Sequence, residues 1–315
     1  MYAALFVALL QLMPPPREGF ITTSDSARLF YRAVGGGTGG SGGARDTIIA
    51  IHGGPGVDLE SIAGDFTPLA RNHVVIFYDQ RGAGKSELPA DTSRLAVARQ
   101  IKDLDEVRAH FKLDRVVLVA HSYGPLLAAS YALAHPEHVR RMVFFGPVPP
   151  RRGDFWQRFR RNLGSRLDSA ATRRMNAANR RLADPGVDAR EACREYWALA
   201  MRPRLSEPDR TLPLIKSDLC ASDPRGIRYG LTTTNRVVMA SYGDWDLREE
   251  LTKLNVPTLV VHGEDEAIPM DLVEEWVAAI PRAELLRVPR AAHFTYAERP
   301  EIVWPAVERF LAAKD

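Results

Sequence analysis

The chain has 315 residues, of which 45% are hydrophobic and 26% are charged. A chain of this length and composition can bury a large core and still carry an inserted subdomain, which excludes a small binding module. The formal net charge of +3 is too close to balance to indicate nucleic-acid binding by itself.

The N-terminal part combines an apolar segment, a hairpin and a loop. Residues 2–10 are apolar over the length of a secretion-signal core, but no basic residue precedes them and no clear cleavage site follows. The segment is too short to span a bilayer, so we expect no stable membrane insertion. It is consistent with an export signal or with an exposed helical arm, which leaves an exported and a cytoplasmic location open. Residues 19–23 and 28–32 predict an antiparallel hairpin, and the glycine-rich run 34–43 predicts a flexible loop.

A glycine-rich turn, His52-Gly-Gly-Pro-Gly56, follows a short apolar strand predicted at 46–51. Acyl transfer needs backbone N–H donors aimed at the developing oxyanion, and glycines let the main chain come close enough to supply them. We therefore expect the backbone amides of Gly54 and Tyr123 to form an oxyanion hole.

The next predicted strand, residues 73–78, runs into Asp79-Gln-Arg-Gly-Ala-Gly-Lys-Ser86. The second half of this segment is similar to a nucleotide-binding loop. A Walker loop, however, requires glycine where this chain has Asp79, and a carboxylate there would repel phosphate oxygens. The sequence therefore does not favour nucleotide binding.

Ser122 ends the apolar run Val116-Val-Leu-Val-Ala-His-Ser-Tyr-Gly124, and a helix-like segment follows it. A nucleophile elbow places serine on a sharp strand-to-helix turn, with small residues two positions before and after it. Ala120 and Gly124 meet this requirement, although the usual pattern has glycine at the first of these positions. The run predicts Ser122 as a nucleophile.

Strand patterns stop between residue 147 and about residue 241, where helical composition takes over. We predict a core of residues 1–146 and 241–315 and a helical cap of residues 147–240. Ten arginines lie between residues 151 and 181, interleaved with aromatic residues. They are typical either of a helix that binds nucleic acid or a membrane surface or of an amphipathic cap helix with its arginines in solvent, and we favour the second.

Both cysteines, Cys193 and Cys220, lie in the predicted cap. In an oxidising compartment they would close a disulfide worth about 3 kcal/mol by the chain-entropy model. In a reducing compartment they would be small apolar side chains. The sequence leaves both possibilities open.

Two downstream loops offer the partners that a serine nucleophile needs, a base and an acid that orients it. The predicted strand 256–262 leads into a carboxylate-rich loop containing Asp265 and Glu266, and the strand near 284–288 leads into a loop carrying His293. The chain order of serine, acid and histidine is the one found in α/β-hydrolases. Strands alternate with helical patterns throughout, which predicts an α/β fold with a mainly parallel sheet, helices on both faces and an inserted helical cap.

Three motifs together, the glycine-rich turn, the segment 79–86 and the elbow, resemble the proline iminopeptidase branch of the α/β-hydrolases. Members of this branch read Gly-x-x-Asp-x-Ile-Pro after the acid-bearing strand. Gly263-Glu-Asp-Glu-Ala-Ile-Pro269 aligns with that pattern without a gap. The resemblance therefore implies Glu266 as the catalytic acid, with Asp265 as the alternative, alongside Ser122 and His293. It also implies that Asp79 and Arg81 are scaffold beside the oxyanion turn and not catalytic groups.

The resemblance implies a serine hydrolase that forms an acyl-enzyme and releases N-terminal proline or small residues from peptides. In this family a cap carboxylate, often a glutamate directly after a tryptophan, grips the free α-amino group. Here Trp197 is followed by Ala198, so another acid would have to substitute: Glu191, Glu195, Asp244 or Asp246. An esterase or general amidase is therefore the alternative function, and a non-catalytic binding protein on the same fold is a remote one.

Small molecules or short peptides are the expected partners, and nucleic acid is not expected. No metal or organic cofactor is implied, because the acidic and histidine clusters lack ligand spacing and the triad needs none. The sequence leaves the oligomeric state open.

Overall fold

The computed structural model describes residues 15–35 and 46–313 of the chain. The apolar segment 2–10 and most of the glycine-rich run 34–43 lie outside these residues. The described residues form a single eight-stranded sheet. Its strands are β1 (Arg17–Thr22), β2 (Arg28–Val34), β3 (Thr47–Ile51), β4 (Val74–Tyr78), β5 (Val116–His121), β6 (Val139–Phe145), β7 (Thr258–Gly263) and β8 (Ala283–Val288).

The strand order across the sheet is β1-β2-β4-β3-β5-β6-β7-β8. The β1–β2 hairpin pairs antiparallel with β4, and every later neighbour pair is parallel. Each residue of β5 and β7 is buried, as expected for parallel strands covered on both faces. The carboxyl ends of β3, β5, β6, β7 and β8 therefore meet at one edge of the sheet, where α/β proteins bind ligands.

Helices cover both faces and also fill the segment between β6 and β7. The α-helices are α1 (Glu60–Phe66), α2 (Val97–His110), α3 (Gly124–Ala134), α4 (Phe155–Gly164), α5 (Ser169–Ala183), α6 (Ala189–Ala200), α7 (Pro208–Thr211), α8 (Pro224–Tyr229), α9 (Asn235–Ser241), α10 (Arg248–Leu251), α11 (Met270–Ala279), α12 (Thr295–Glu298) and α13 (Pro300–Ala312). A short π-helix, Gly230–Thr234, links α8 to α9. Short 3-10 turns lie at Thr67–Arg71, Thr92–Leu95, Pro136–His138, Arg202–Arg204 and Leu212–Leu214.

The two faces of the sheet bury separate apolar clusters, because alternate side chains of a strand point to opposite faces. On one face Leu118 of β5 packs in a cluster with α2, α3 and α11, which contribute residues such as Leu104 and Trp276. On the other face Val119 belongs to a cluster with α1 and α13, including Phe66. This is the predicted two-sided architecture, and the mainly parallel sheet with helices on both faces is confirmed.

Helices α4 to α9 occupy the region for which we predicted a cap. Where the chain enters and leaves this region its two segments pair: Arg152 N–H donates to Trp245 O at 2.8 Å, and Leu247 N–H donates to Pro150 O at 2.9 Å. A disulfide joins Cys193 of α6 to Cys220, which leaves no free cysteine among the described residues. Within the described ranges, no helix has the length and apolar character needed to cross a membrane. The division at residues 147 and 240 stays a prediction.

Candidate active site

Ser122 lies on a tight turn between the end of β5 and the start of α3 and has a φ of 62°, in the left-handed region that non-glycine residues rarely adopt. The turn is held by main-chain bonds, since Ser122 N–H donates to Phe145 O at 2.8 Å and Ser122 O accepts from Val148 N–H at 2.9 Å. A Cβ on Gly124 would lie 2.6 Å from Ile51 O, so the turn admits only glycine there without a shift. This is the geometry of the predicted elbow, and Ser122 faces a cavity.

His293 and Glu266 form a buried hydrogen-bonded pair at the same cavity. His293 Nδ1 lies 2.8 Å from Glu266 Oε2, and the two side chains are 10% and 1% exposed. Burial acts to raise the pKa of Glu266, but attraction and hydrogen bonding to His293 outweigh it and lower the pKa to about 2. Glu266 is therefore ionised at neutral pH. The bond at Nδ1 leaves Nε2 as the ring nitrogen available to another group.

Asp265, the alternative acid, makes no hydrogen bond to His293 among the described contacts. Its carboxylate accepts a hydrogen bond from the Ser206 hydroxyl. Within the described chain, the carboxylate that bonds His293 is thus that of Glu266, in the register that the resemblance implied.

Glu298, which the sequence analysis missed, holds the loop that carries His293. Its Oε1 accepts from Ala292 N–H at 2.8 Å and from Phe294 N–H at 3.2 Å, on either side of the histidine. Its Oε2 accepts from Ser206 N–H at 2.7 Å. Burial raises the pKa of Glu298, and these bonds act against that shift. The contacts to Ala292 and Phe294 depend on the loop conformation, and the contact to Ser206 joins residues 92 positions apart, so no sequence pattern pointed to Glu298.

His121 packs directly on the ring of His293, with ring centroids 4.7 Å apart. Burial lowers the pKa of His121 to about 3, so it is neutral at physiological pH, and its Nε2 lies 3.2 Å from His293 O. Below the same ring lies Gly146, where a Cβ would come within 3.1 Å of His293 Nδ1. The position of His121 next to Ser122 was the only sequence signal for this contact.

The predicted oxyanion turn contains Gly54, which has a φ of 108° and precedes a cis peptide bond to Pro55. Gly54 lines the cavity with Ser122. In the part of the chain that the structure describes, the N–H groups of Gly54 and Tyr123 donate to no other protein group. Gln80 stabilises this turn, because its side-chain Nε2 donates to His52 O at 2.9 Å.

Asp79 and Arg81 lie beneath the site and do not line the cavity. Asp79 accepts N–H bonds from Leu59 at 2.9 Å and from Lys85 at 2.8 Å. Burial raises the pKa of Asp79 to about 7. A buried carboxyl thus takes up the Lys85 amide of the segment that is similar to a nucleotide-binding loop, which agrees with the scaffold interpretation.

The cavity has a volume of about 380 Å³ and lies between the core loops and the cap. The cap contributes aromatic and apolar walls: Phe155, Trp156, Phe159, Leu182, Tyr196, Trp197, Leu219 and Leu231. Among the described residues that line it there is no Asp or Glu. Glu191 and Glu195 instead pair with Arg181, and Asp246 pairs with Arg248. None of the four acids suggested as amino-group ligands lines the cavity.

A family model described as the alpha/beta hydrolase fold matches residues 46–300 of this chain. The chain belongs to the α/β-hydrolase family. The elbow at the end of β5 and the loops after β7 and β8 lie where this family carries its catalytic groups. Over the described residues of this α/β-hydrolase, no group of three or more His, Cys, Asp or Glu side chains is arranged to hold a metal ion.

This α/β-hydrolase is 28% identical over 299 residues to a proline iminopeptidase of Heyndrickxia coagulans, across 93% of this chain and 98% of the relative. The crystal structure of a proline iminopeptidase from Mycobacterium smegmatis matches with a TM-score of 0.66 at 20% identity, covering 94% of this chain and 97% of that one. An esterase from Exiguobacterium antarcticum matches with a TM-score of 0.66 at 18% identity, covering 94% and 100%. The resemblance to the proline iminopeptidase branch is confirmed, and at these identities the solved structures share the fold.

Proposed function

We propose that this α/β-hydrolase is a serine hydrolase that acts through an acyl-enzyme, with Ser122 as nucleophile, His293 as base and Glu266 as the acid that orients the base. The observation that carries the proposal is the 2.8 Å contact between His293 Nδ1 and Glu266 at the cavity that Ser122 also lines. An ionised carboxylate there fixes the tautomer that leaves Nε2 free and stabilises the imidazolium formed during reaction.

The proposed reaction has two stages. His293 Nε2 takes the hydroxyl proton as Ser122 Oγ attacks the substrate carbonyl carbon. The tetrahedral intermediate collapses, the bond to the leaving group breaks, and His293 gives its proton to the departing alcohol or amine. Water then attacks the acyl-serine with His293 again as base, and collapse releases the carboxylic acid and returns the proton to Ser122.

Gly54 and Tyr123 are the proposed donors to the oxyanion. Both amides lack another acceptor among the described residues, which supports the assignment. Donors already aimed at a developing negative charge need no reorganisation during reaction, and loss of one such donor costs about 10²- to 10³-fold in rate.

Two substrate classes compete for this site, and the cavity favours carboxylic esters, or amides, that have no free amino group. A positively charged α-amino group taken out of water is costly without a carboxylate partner, and no Asp or Glu is among the described lining residues. The second candidate is the predicted aminopeptidase activity on N-terminal proline or small residues. This candidate is supported by the similarity of the chain to the proline iminopeptidase of Heyndrickxia coagulans.

Labelling with a fluorophosphonate tests the nucleophile. We expect one adduct per chain, on Ser122, and none on Ser122→Ala, because only an activated serine reacts with this probe. A folded wild-type protein that stays unlabelled would contradict the proposal and favour a non-catalytic binding protein.

A substrate panel separates the two candidates. Turnover of short-chain 4-nitrophenyl esters is compared with turnover of prolyl and alanyl arylamides. Each substrate is also assayed with Ser122→Ala, and this background rate is subtracted. We expect Ser122-dependent turnover of the esters. Efficient turnover of prolyl arylamide would instead favour the aminopeptidase.

A further inference from the structure

The cavity beside Ser122 carries a single permanently charged side chain among its described lining residues, the guanidinium of Arg204. Arg204 is half-buried, and its carbonyl accepts the N–H of His293 at 3.0 Å, which places this residue next to the proposed base. Its Cζ lies 5.7 Å from the centre of the Trp197 ring, another wall of the cavity.

Within the described residues, the guanidinium of Arg204 contacts only neutral groups. It donates through Nη1 to the carbonyl of Ala200 and makes no ion pair with a carboxylate of the described chain. By contrast Arg202, on the same 3-10 turn but exposed, pairs with Asp209 at 2.8 Å. A half-buried cation without a counter-charge raises the local affinity for an anion, because the ligand supplies the missing partner.

The outer surface of the cap adds to this positive charge. Helices α4 and α5 supply Trp156, Phe159 and Leu182 to the cavity wall. The same two helices expose arginines that form no ion pair within the described residues: Arg160, Arg161, Arg173, Arg174 and Arg180. Uncompensated charge around a cleft attracts oppositely charged ligands and speeds their encounter.

We propose that the site takes esters or amides that carry a carboxylate close to the scissile carbonyl, and that Arg204 binds this carboxylate. The inference rests on the proposed serine hydrolase and names its substrate class. The aromatic walls pack against the apolar part of such a substrate, and the surface arginines attract it from solution. A substrate with a free ammonium group would face the Arg204 guanidinium and no Asp or Glu among the described lining residues.

Matched esters test the substrate class. 4-Nitrophenyl hemiglutarate, with its carboxylate on the acyl side, is compared with the neutral 4-nitrophenyl pentanoate. 4-Acetoxybenzoate, with its carboxylate on the leaving group, is compared with its neutral methyl ester. We expect the wild type to prefer one anionic ester over its neutral match by about 10- to 100-fold in kcat/KM, the range for a hydrogen bond to a charged group. The ratio should fall toward one in Arg204→Gln and stay unchanged in Arg202→Gln.

Salt dependence tests the surface arginines separately. For the preferred anionic ester kcat/KM should fall as salt is added, because screening weakens attraction between exposed charges. The slope should be smaller in the double variant Arg173→Gln/Arg174→Gln, while the neutral ester shows little salt dependence.

The outcomes distinguish failure of the inference from failure of the proposed function. If Ser122 is labelled and the neutral esters turn over, but no anionic ester is preferred or the preference survives Arg204→Gln, the substrate class is wrong and the hydrolase stands. If no ester is hydrolysed, calorimetry with monomethyl glutarate tests whether the cavity binds a carboxylate through Arg204. Binding by Ser122→Ala that weakens at least about 10-fold on adding Arg204→Gln supports the anion site. Absence of binding overturns it.

Discussion

Ser122 adopts a backbone conformation that a residue other than glycine holds only at a cost of about 1–3 kcal/mol. Its φ of 62° follows from the turn between β5 and α3, which the main-chain bonds to Phe145 and Val148 hold in place. The strain presents the side chain at the cavity instead of in the sheet. At this scale the arrangement of single groups decides the proposed chemistry, and two predictions follow from Glu266.

The first prediction separates Glu266 from its neighbour Asp265. Glu266→Gln keeps the shape of the side chain but removes the charge that orients His293, so kcat on a 4-nitrophenyl ester should fall about 10³- to 10⁴-fold. Asp265→Asn alters only a bond to Ser206 and should change kcat less than about 3-fold. Equal losses in the two variants would contradict the assignment of the acid.

The second prediction concerns stability at low pH. The pKa of Glu266 falls from 4.5 to about 2 on folding. A depressed carboxyl pKa stabilises the folded state above the unfolded-state value, and this stabilisation is lost as the pH falls through the folded-state value. The difference in unfolding free energy between wild type and Glu266→Gln should therefore shrink from about pH 5 to about pH 3. Urea unfolding at several pH values measures it, and a constant difference would contradict the prediction.

At the scale of elements, the cap and the oxyanion turn meet through two glycines. A Cβ on Gly230, in the π-helix after α8, would lie 2.0 Å from Gly56 O. The φ of Gly230 is −58°, which any residue adopts, so close approach alone requires glycine there. The turn that carries Gly54 and the cap helices are thus packed backbone against backbone.

Gly230→Ala should separate these two elements. We expect a loss of about 1–3 kcal/mol in unfolding free energy from overpacking. We also expect a fall in kcat/KM of up to about 10²-fold, because small displacements of catalytic groups are costly. Denaturant unfolding and ester kinetics measure the two effects.

Gly164→Ala is the matched control for this prediction. Gly164 ends α4 in the same cap, and no atom lies within 4 Å of a Cβ placed there. The unfolding free energy of Gly164→Ala should rise by no more than about 1 kcal/mol, since alanine is the better helix former. Equal behaviour of the two variants would show that the contact with Gly56 is unimportant.

At the scale of the whole molecule, a buried charge cluster joins parts of the chain that are distant in sequence. Arg81, after β4, bonds Asp103 of α2 at 2.7 Å and Asp25 of the β1–β2 turn at 3.0 Å. The side chains of Arg81 and Asp103 are 0% and 2% exposed. The cluster thereby ties the hairpin to a core helix and to the loop beneath the site.

Arg81→Met should leave the buried Asp103 with only the longer contact to Arg99, at 3.3 Å, and lower the unfolding free energy by up to about 3–5 kcal/mol. Arg94→Met is the control, because Arg94 also pairs with Asp25 but is 34% exposed. The unfolding free energy of Arg94→Met should fall by less than about 1 kcal/mol. Similar losses in both variants would mean that burial is not what makes the cluster important.

Much of the fold could be predicted from the sequence. The strands predicted at 73–78 and 284–288 agree with β4 and β8 to within one residue. Buried parallel strands are continuous apolar runs, and amphipathic helices repeat on a helical period, so local composition carries this information. Ser122 and His293 were likewise marked by their place at the ends of such strands.

The sequence by itself determined the parallel α/β architecture, the turn that carries the proposed nucleophile and the loops that carry the proposed acid and base, because each depends on neighbours within a few positions. The tertiary structure alone decided that Glu266 rather than Asp265 contacts His293, that Glu298 braces that loop, and that the cap turns Arg204 and no carboxylate toward the cavity. The contact of Glu266 joins residues 27 positions apart, and the contacts of Glu298 with Ala292 and Phe294 depend on how the loop folds back. Which side chain meets which is set by packing of the whole molecule, and no local pattern records it.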